Sequence, residues 1–149
     1  MADDVGAPAR LRSLASWQAG RVATVGARLT ATRMPLEARS DFAVLAALTE
    51  FGALTQADLG RRLGLDRANV NGIVARLEGD GLVQRSADEA DRRRRLLRPT
   101  DEGAARLADL EERATAVQDE LLAPLDAAER EQLRLLLDRV LDAHPAQPA

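Results

Sequence analysis

The sequence predicts a mostly α-helical fold with one small β-hairpin (α+β), and three observations predict it. Apolar residues make up 46% of 149 residues, enough to bury a core. Aromatics supply only 2% (Trp17, Phe42 and Phe51), so that core must be built from Ala, Leu and Val, a composition that favours helices. Apolar positions recur at helical spacing along most of the chain, and strand-like runs occur only at "LVQRS" and "RLLRP".

The elements follow in order. Residues 10–33 carry Leu11, Leu14, Val22, Val25 and Leu29 at helical intervals, which predicts one long amphipathic helix with Gly20 and Gly26 as weak points and Pro35 as its stop. Ser40 is expected to be the N-cap, with Asp41 in the first turn, of a nearly all-apolar helix "DFAVLAALTEF" ending near Gly52. Thr55 and Asp58 have the spacing of a capping box and open a helix that runs to about Leu63. Gly64 can supply a left-handed turn, and Asp66 can cap the next helix.

That next helix has Val70, Ile73, Val74 and Leu77 on one face. Its other face carries Arg67, Ala68, Asn71, Gly72 and Ala75, flanked by Asn69 and Arg76. Two short helices joined by a Gly turn, with the small Gly60 where their backbones approach, are a helix-turn-helix signal. The two strand candidates enclose the polar tip "ADEADRR", and a hairpin directly after a recognition helix is a wing. Thr100 is expected to cap a helix with Asp101 and Glu102 in its first turn, where the helix dipole favours negative charge. Its stripe is Leu107, Leu110, Ala114, Val117 and Leu121, with Pro124 as its end; Asp126 and Glu129 then open a last amphipathic helix.

Composition narrows the chemistry. There is no Cys, which removes disulfides and thiolate metal sites, and the single His144 beside Pro145 is a poor start for another kind, so neither a metal nor a cofactor is expected. No apolar run approaches the roughly 20 residues of a membrane span, and "MADDVGAPAR" does not read as a signal peptide. A cytoplasmic location is the simplest inference. The net charge of −3 divides into 0 for residues 1–60, +4 for 61–100 and −7 for 101–149, so the middle of the chain is a basic island. All 21 basic residues are Arg, whose planar fork suits phosphate.

The stretch "LTQADLGRRLGLDRANVNGIVARLEGDGLVQRSADEADRRRRLLRPTDEG" resembles the winged helix-turn-helix core of MarR-type bacterial transcription regulators. It includes the Asp-x-Arg of the wing (Asp91, Arg93) and the Thr-x-x-Gly that opens the next helix (Thr100, Gly103), and with its flanking helices the resemblance covers roughly residues 10–142. The resemblance implies a homodimer on double-stranded DNA. Residues 10–36 and 100–142 would be long N- and C-terminal dimerisation helices and 40–99 the DNA-binding lobe, with 1–9 and 143–149 expected to be disordered termini.

In that setting Arg67, Ala68, Asn69, Asn71, Gly72 and Arg76 are the expected DNA face of the recognition helix. Asn suits an adenine edge, Arg suits guanine, and Arg76 is expected on phosphate. Thr55 and Gln56 are read both as caps and as phosphate donors. Arg92, Arg93, Arg94 and Arg95 form the wing's cationic run; strand alternation would turn Arg93 and Arg95 one way and Arg94 the other. The resemblance sends Arg93 into the minor groove and makes Asp91 the acid that orients a neighbouring arginine. Trp17 and Arg21, one helical turn apart, are candidates for the family's effector cavity.

The chain departs from the pattern at Pro99, where Leu is usual, and at Ala68 and Gly72, where polar or basic residues are common. The implied function is a regulator, in particular a repressor of a pseudo-palindromic operator released by an aromatic or phenolic effector. A winged-helix protein-interaction module is the alternative. An enzyme is not expected, since the acids lie at caps, wing and solvent faces.

Overall fold

The computed structural model describes residues 6–144; the remainder of both expected disordered termini lies outside the described residues. Seven helices and one hairpin follow in order: α1 (Ala9–Arg12), α2 (Ala15–Arg33), α3 (Leu36–Phe51), α4 (Gln56–Leu63), α5 (Arg67–Gly79), β1 (Val83–Ala87), β2 (Arg95–Pro99), α6 (Asp101–Leu121) and α7 (Ala127–Asp142). Helices α2 and α3 pack on α6, α4 packs on α5, and the hairpin closes over α3 and the start of α6. Among the described residues, no helix is long and apolar enough to cross a membrane.

The main core joins Val44, Leu45 and Leu48 of α3 to Leu59 of α4, to Val70, Val74 and Leu77 of α5, and to Val83, Leu97 and Leu107. Val70, Val74, Leu77 and Leu107 are inner positions expected from periodicity, with Ile73 only partly buried, and each fully buried Leu or Val contributes about 1.5–3 kcal/mol of transfer free energy. A smaller cluster of Met34, Ala38 and Leu110 joins α2, α3 and α6.

Side-chain caps set four of the seven helix starts among the described residues. The Thr55 and Asp58 capping box is formed, as is that of Asp126 and Glu129; the Asp66 carboxylate accepts from the Asn69 N–H and the Thr100 hydroxyl from the Gly103 N–H. Gly64 ends α4 with φ of 64°. Gly60 is needed for a close approach, since a Cβ there would lie 3.0 Å from the Leu65 carbonyl oxygen.

Two helix starts differ from expectation. The predicted helix over 10–33 is broken at Ser13 and Leu14, where Leu14 is extended and the Gln18 amide donates to the Arg12 carbonyl at 2.9 Å. Ser40 is not an N-cap. Helix α3 begins at Leu36 behind Pro35, whose fixed φ suits a helix entry, and the Ser40 hydroxyl donates back to the Leu36 carbonyl at 3.2 Å inside the helix. Helix α6 also stops at Leu121, before Pro124.

The hairpin is antiparallel with Val83 opposite Pro99 and Ala87 opposite Arg95. Its register resolves the departure at Pro99. Thr100 donates to the Leu82 carbonyl at 3.0 Å and Asp88 to the Arg94 carbonyl at 3.1 Å, so even-numbered residues of the second arm face β1. Leu97 faces the other way and exchanges hydrogen bonds with Leu54 at 2.8 and 3.3 Å. Pro99 shares the orientation of Leu97, so the donor it lacks is not one the hairpin uses.

Candidate nucleic-acid interface

The structure brings Thr55, Gln56, Arg67 and Asn71 together around one open cleft of about 490 Å³ between α4 and α5. Thr55 closes the α4 N-terminus through its capping box. Gln56, one residue on, donates from Nε2 to Asn71 Oδ1 at 2.7 Å and accepts at Oε1 from Arg85 Nη1 at 2.7 Å. Arg85 in turn donates from Nε to Glu78 at 2.8 Å. This chain of contacts ties α4, α5 and β1 into one surface.

Arg67, Ala68, Asn69, Asn71 and Gly72 are all exposed on α5. Gly72 has open space around it, so no neighbour demands its small size. Asn69 is partly committed locally, because its backbone N–H and its side-chain Nδ2 both donate to the Asp66 carboxylate. Arg76 departs from expectation: its guanidinium turns inward to Asp41 at 2.6 Å, and Arg106 of α6 approaches the same carboxylate at 3.7 Å. Asp41 is 4% exposed, so Arg76 serves a buried charge and is not displayed for phosphate.

In the wing, Arg92, Arg93 and Arg94 lie in the turn and the strand starts at Arg95, so strand alternation does not govern the first three. Asp91 acts on backbone: its carboxylate accepts from the Arg93 N–H at 3.0 Å and its carbonyl from the Arg94 N–H at 2.9 Å. The arginine held by acids is Arg94, by Asp58 at 3.5 Å and Asp88 at 3.6 Å. Arg92, Arg93 and Arg95 are exposed, and among the described residues neither they nor Arg67 have a carboxylate within ion-pair distance.

Asp58 is the electrostatic hinge between α4 and the wing. The Thr55 hydroxyl donates to it at 2.7 Å, which holds its carboxyl below the usual carboxylate range. Partial burial opposes this, while the Thr55 N–H, Arg61 and Arg94 reinforce it. A carboxylate whose folded pKa is depressed stabilises the fold above its unfolded pKa and loses that contribution as pH falls through the folded value. Denaturant melts taken from neutral pH to below about pH 4 are therefore expected to show a shallower acid-side loss in Asp58→Asn than in the wild type; equal slopes would show that Asp58 carries none of it.

Trp17 and Arg21 do not line the cavity between α2, α3 and α6. That cavity of about 200 Å³ is lined by Thr30, Met34, Arg39, Phe42, Ala114, Val117 and Gln118. Arg39 Nε is buried there without a hydrogen-bond partner among the described residues. Spacing on a single helix could not have revealed it, because its lining comes from three helices.

Comparison with known proteins accords with this geometry. Residues 38–94 match the MarR family model. The chain is 35% identical over 102 residues to the HTH-type transcriptional repressor NicR of Pseudomonas putida, covering 68% of this chain and just under two thirds (65%) of that protein. It is 30% identical over 109 residues to the transcriptional regulator HosA of Escherichia coli, covering 73% and 81%. Among solved structures, the PcaV transcriptional regulator of Streptomyces coelicolor, determined with its natural ligand, superimposes with a TM-score of 0.72 at 35% identity over 93% of this chain and 99% of that one. With a helix-turn-helix, a wing and relatives matched over most of its length, the chain belongs to the MarR family of transcriptional regulators.

Proposed function

We propose that this regulator is a homodimeric repressor that grips a pseudo-palindromic operator and releases it when a small aromatic or phenolic molecule binds. The observation that carries the DNA-binding part is the set of exposed arginines without an acidic partner among the described residues, Arg67 on the recognition helix and Arg92, Arg93 and Arg95 on the wing, beside the Thr55, Gln56 and Asn71 cleft. Uncompensated guanidinium groups on a helix-turn-helix face suit phosphate and groove edges. Ala68 and Gly72 leave room for close approach, and Asn69 retains its side-chain oxygen. Arg94 supports the wing from behind.

The homodimer is supported by α7, where Leu135, Leu136, Leu137, Val140 and Leu141 are 48–65% exposed, and by exposed Leu11, Leu14 and Val22 on the N-terminal segments. Such a run of apolar surface marks an interface. The effector part rests on Arg39, whose unpartnered Nε a carboxylate or phenolate would satisfy. At about 200 Å³ the cavity is smaller than the ordinary ligand site of about 300–1,000 Å³, which limits the occupant to a single ring.

The test is a binding titration on the DNA upstream of the chain's own gene. A shift is expected, with half-sites roughly 34–36 Å apart, and single-ring aromatic carboxylates are expected to reverse it. Replacing Arg92 and Arg93 by Ala is expected to weaken binding and lower the slope of log affinity against log salt by about 2. An unchanged slope and affinity would sink the wing assignment, and no shift at moderate salt would favour the protein-interaction module.

A further inference from the structure

We infer that the outward face of Asn71 is set by a polarity relay that starts at Glu78, and that Asn71 consequently reads a base edge rich in acceptors instead of pairing with adenine. The inference rests on the proposed DNA-binding role of α5. A carboxylate only accepts hydrogen bonds and a guanidinium only donates them, whereas an amide does one at each end. Glu78 accepts from Arg85, and Arg85, having no acceptor, requires Gln56 to turn Oε1 toward it. Gln56 Nε2 is thereby aimed at α5, and Asn71 must answer with Oδ1, at 2.7 Å. The amide orientations are fixed by chemistry along the whole path.

What remains to Asn71 is its Nδ2, a double donor without a partner among the described residues, on an exposed position of the recognition helix. In the major groove guanine offers two acceptors at O6 and N7, and thymine one at O4; adenine offers one acceptor and one donor. The familiar pairing of Asn with adenine uses both ends of the amide, and here Oδ1 is drawn toward α4. It keeps a second lone pair, so an adenine contact is the competing outcome. Glu78 and Arg85, which act on Asn71 through Gln56, thus become specificity-positioning residues. Gln56 is the reversible joint, since its replacement by Glu puts an acceptor against both Arg85 and Asn71. Asn71 would then present Nδ2 inward and Oδ1 outward.

The experiment is operator selection from a randomised duplex pool with the full-length wild type, Asn71→Ala, Gln56→Glu and Arg85→Met. The position at which Asn71→Ala flattens base preference identifies the base that Asn71 reads. There the wild type is expected to favour guanine or thymine over adenine by about tenfold. Gln56→Glu is expected to move the preference to cytosine or adenine, whose exocyclic amines donate. Arg85→Met frees Gln56 to rotate and is expected to reduce the wild-type preference; it decides the matter if the added charge of Gln56→Glu abolishes binding.

A wild-type preference for adenine at that position overturns the relay. So does a preference unchanged in both relay variants, or an Asn71→Ala protein that selects the same sites as the wild type. Failure of the wild type to enrich any duplex overturns the DNA-binding reading itself, and the relay with it.

Discussion

Gly103→Ala is expected to destabilise the protein by about 3 kcal/mol or more, because a Cβ at this position would sit 2.0 Å from the Leu82 carbonyl oxygen and 3.0 Å from its carbon. The obstacle is backbone. That carbonyl also accepts the Thr100 N–H at 3.0 Å, and the Thr100 hydroxyl both donates to Gly81 O at 2.6 Å and caps Gly103. Moving the start of α6 away from the foot of β1 would strain the whole junction between wing and helix. At roughly 2–4 °C per kcal/mol for a chain of this size, the melting temperature should fall by about 10 °C. Gly72→Ala is the internal control: its Cβ meets open space, and it should be neutral or stabilising by up to about 1 kcal/mol. Thermal melts of the two variants check the contrast, and equal behaviour would show that the Gly103 contact relaxes without cost.

Asp41→Ala is expected to cost about 3 kcal/mol, the range for removing one member of a buried ion pair. Asp41 is only 4% exposed, and it faces two guanidinium groups, Arg76 at 2.6 Å and Arg106 at 3.7 Å. Deleting the carboxylate leaves both cations, each about 30% exposed at the side chain, at the meeting point of α3, α5 and α6 without an anion. Arg106→Met should cost much less, since Arg76 keeps the shorter contact. Denaturant melts of the single variants and of the Asp41→Ala, Arg76→Met pair check this; an Asp41→Ala loss no larger than that of Arg106→Met would contradict the assignment. Helix α5 is anchored through Arg76, so DNA affinity should fall in Asp41→Ala under conditions where the protein is still folded.

Much of the fold was legible because it is written in local chemistry. Thr55 with Asp58, Gly64, Asp66, Thr100, and Asp126 with Glu129 declare helix ends through caps and turns within three residues. The inner face of the recognition helix declares itself by period. Misses arose where one signal had a stronger competitor, a nearby one in the first case and a distant one in the second. Ser40 looks like a cap until Pro35 starts the helix a turn earlier. Arg76 looks like a phosphate ligand until Asp41, 35 residues away in sequence, takes it. An acid inside a nearly all-apolar helix was the available clue, since such a charge demands a partner.

The site divides in the same way. The cluster of Thr55, Gln56, Arg67 and Asn71 follows from the motif, but the direction of each amide follows from Arg85 and Glu78, which no spacing rule connects to α4. The roles within "DRRRRLLRP" likewise depended on where the turn gives way to strand. Arg94, which looks equivalent to its neighbours in sequence, is the one that Asp58 and Asp88 take up.

The pairing of Leu54 with Leu97 and the orientation of Pro99 have one more consequence. The edges of a two-stranded hairpin are strand edges that a second chain could extend, which is the usual route to edge-to-edge aggregation. On the outer side of β2 the chain's own Leu54 already occupies one rung, and the next outward-facing residue toward the foot, Pro99, has no N–H to offer. Several copies crowded along one stretch of DNA would bring their wings close together at high local concentration. Near its foot this edge therefore resists pairing with the wing of a neighbouring copy.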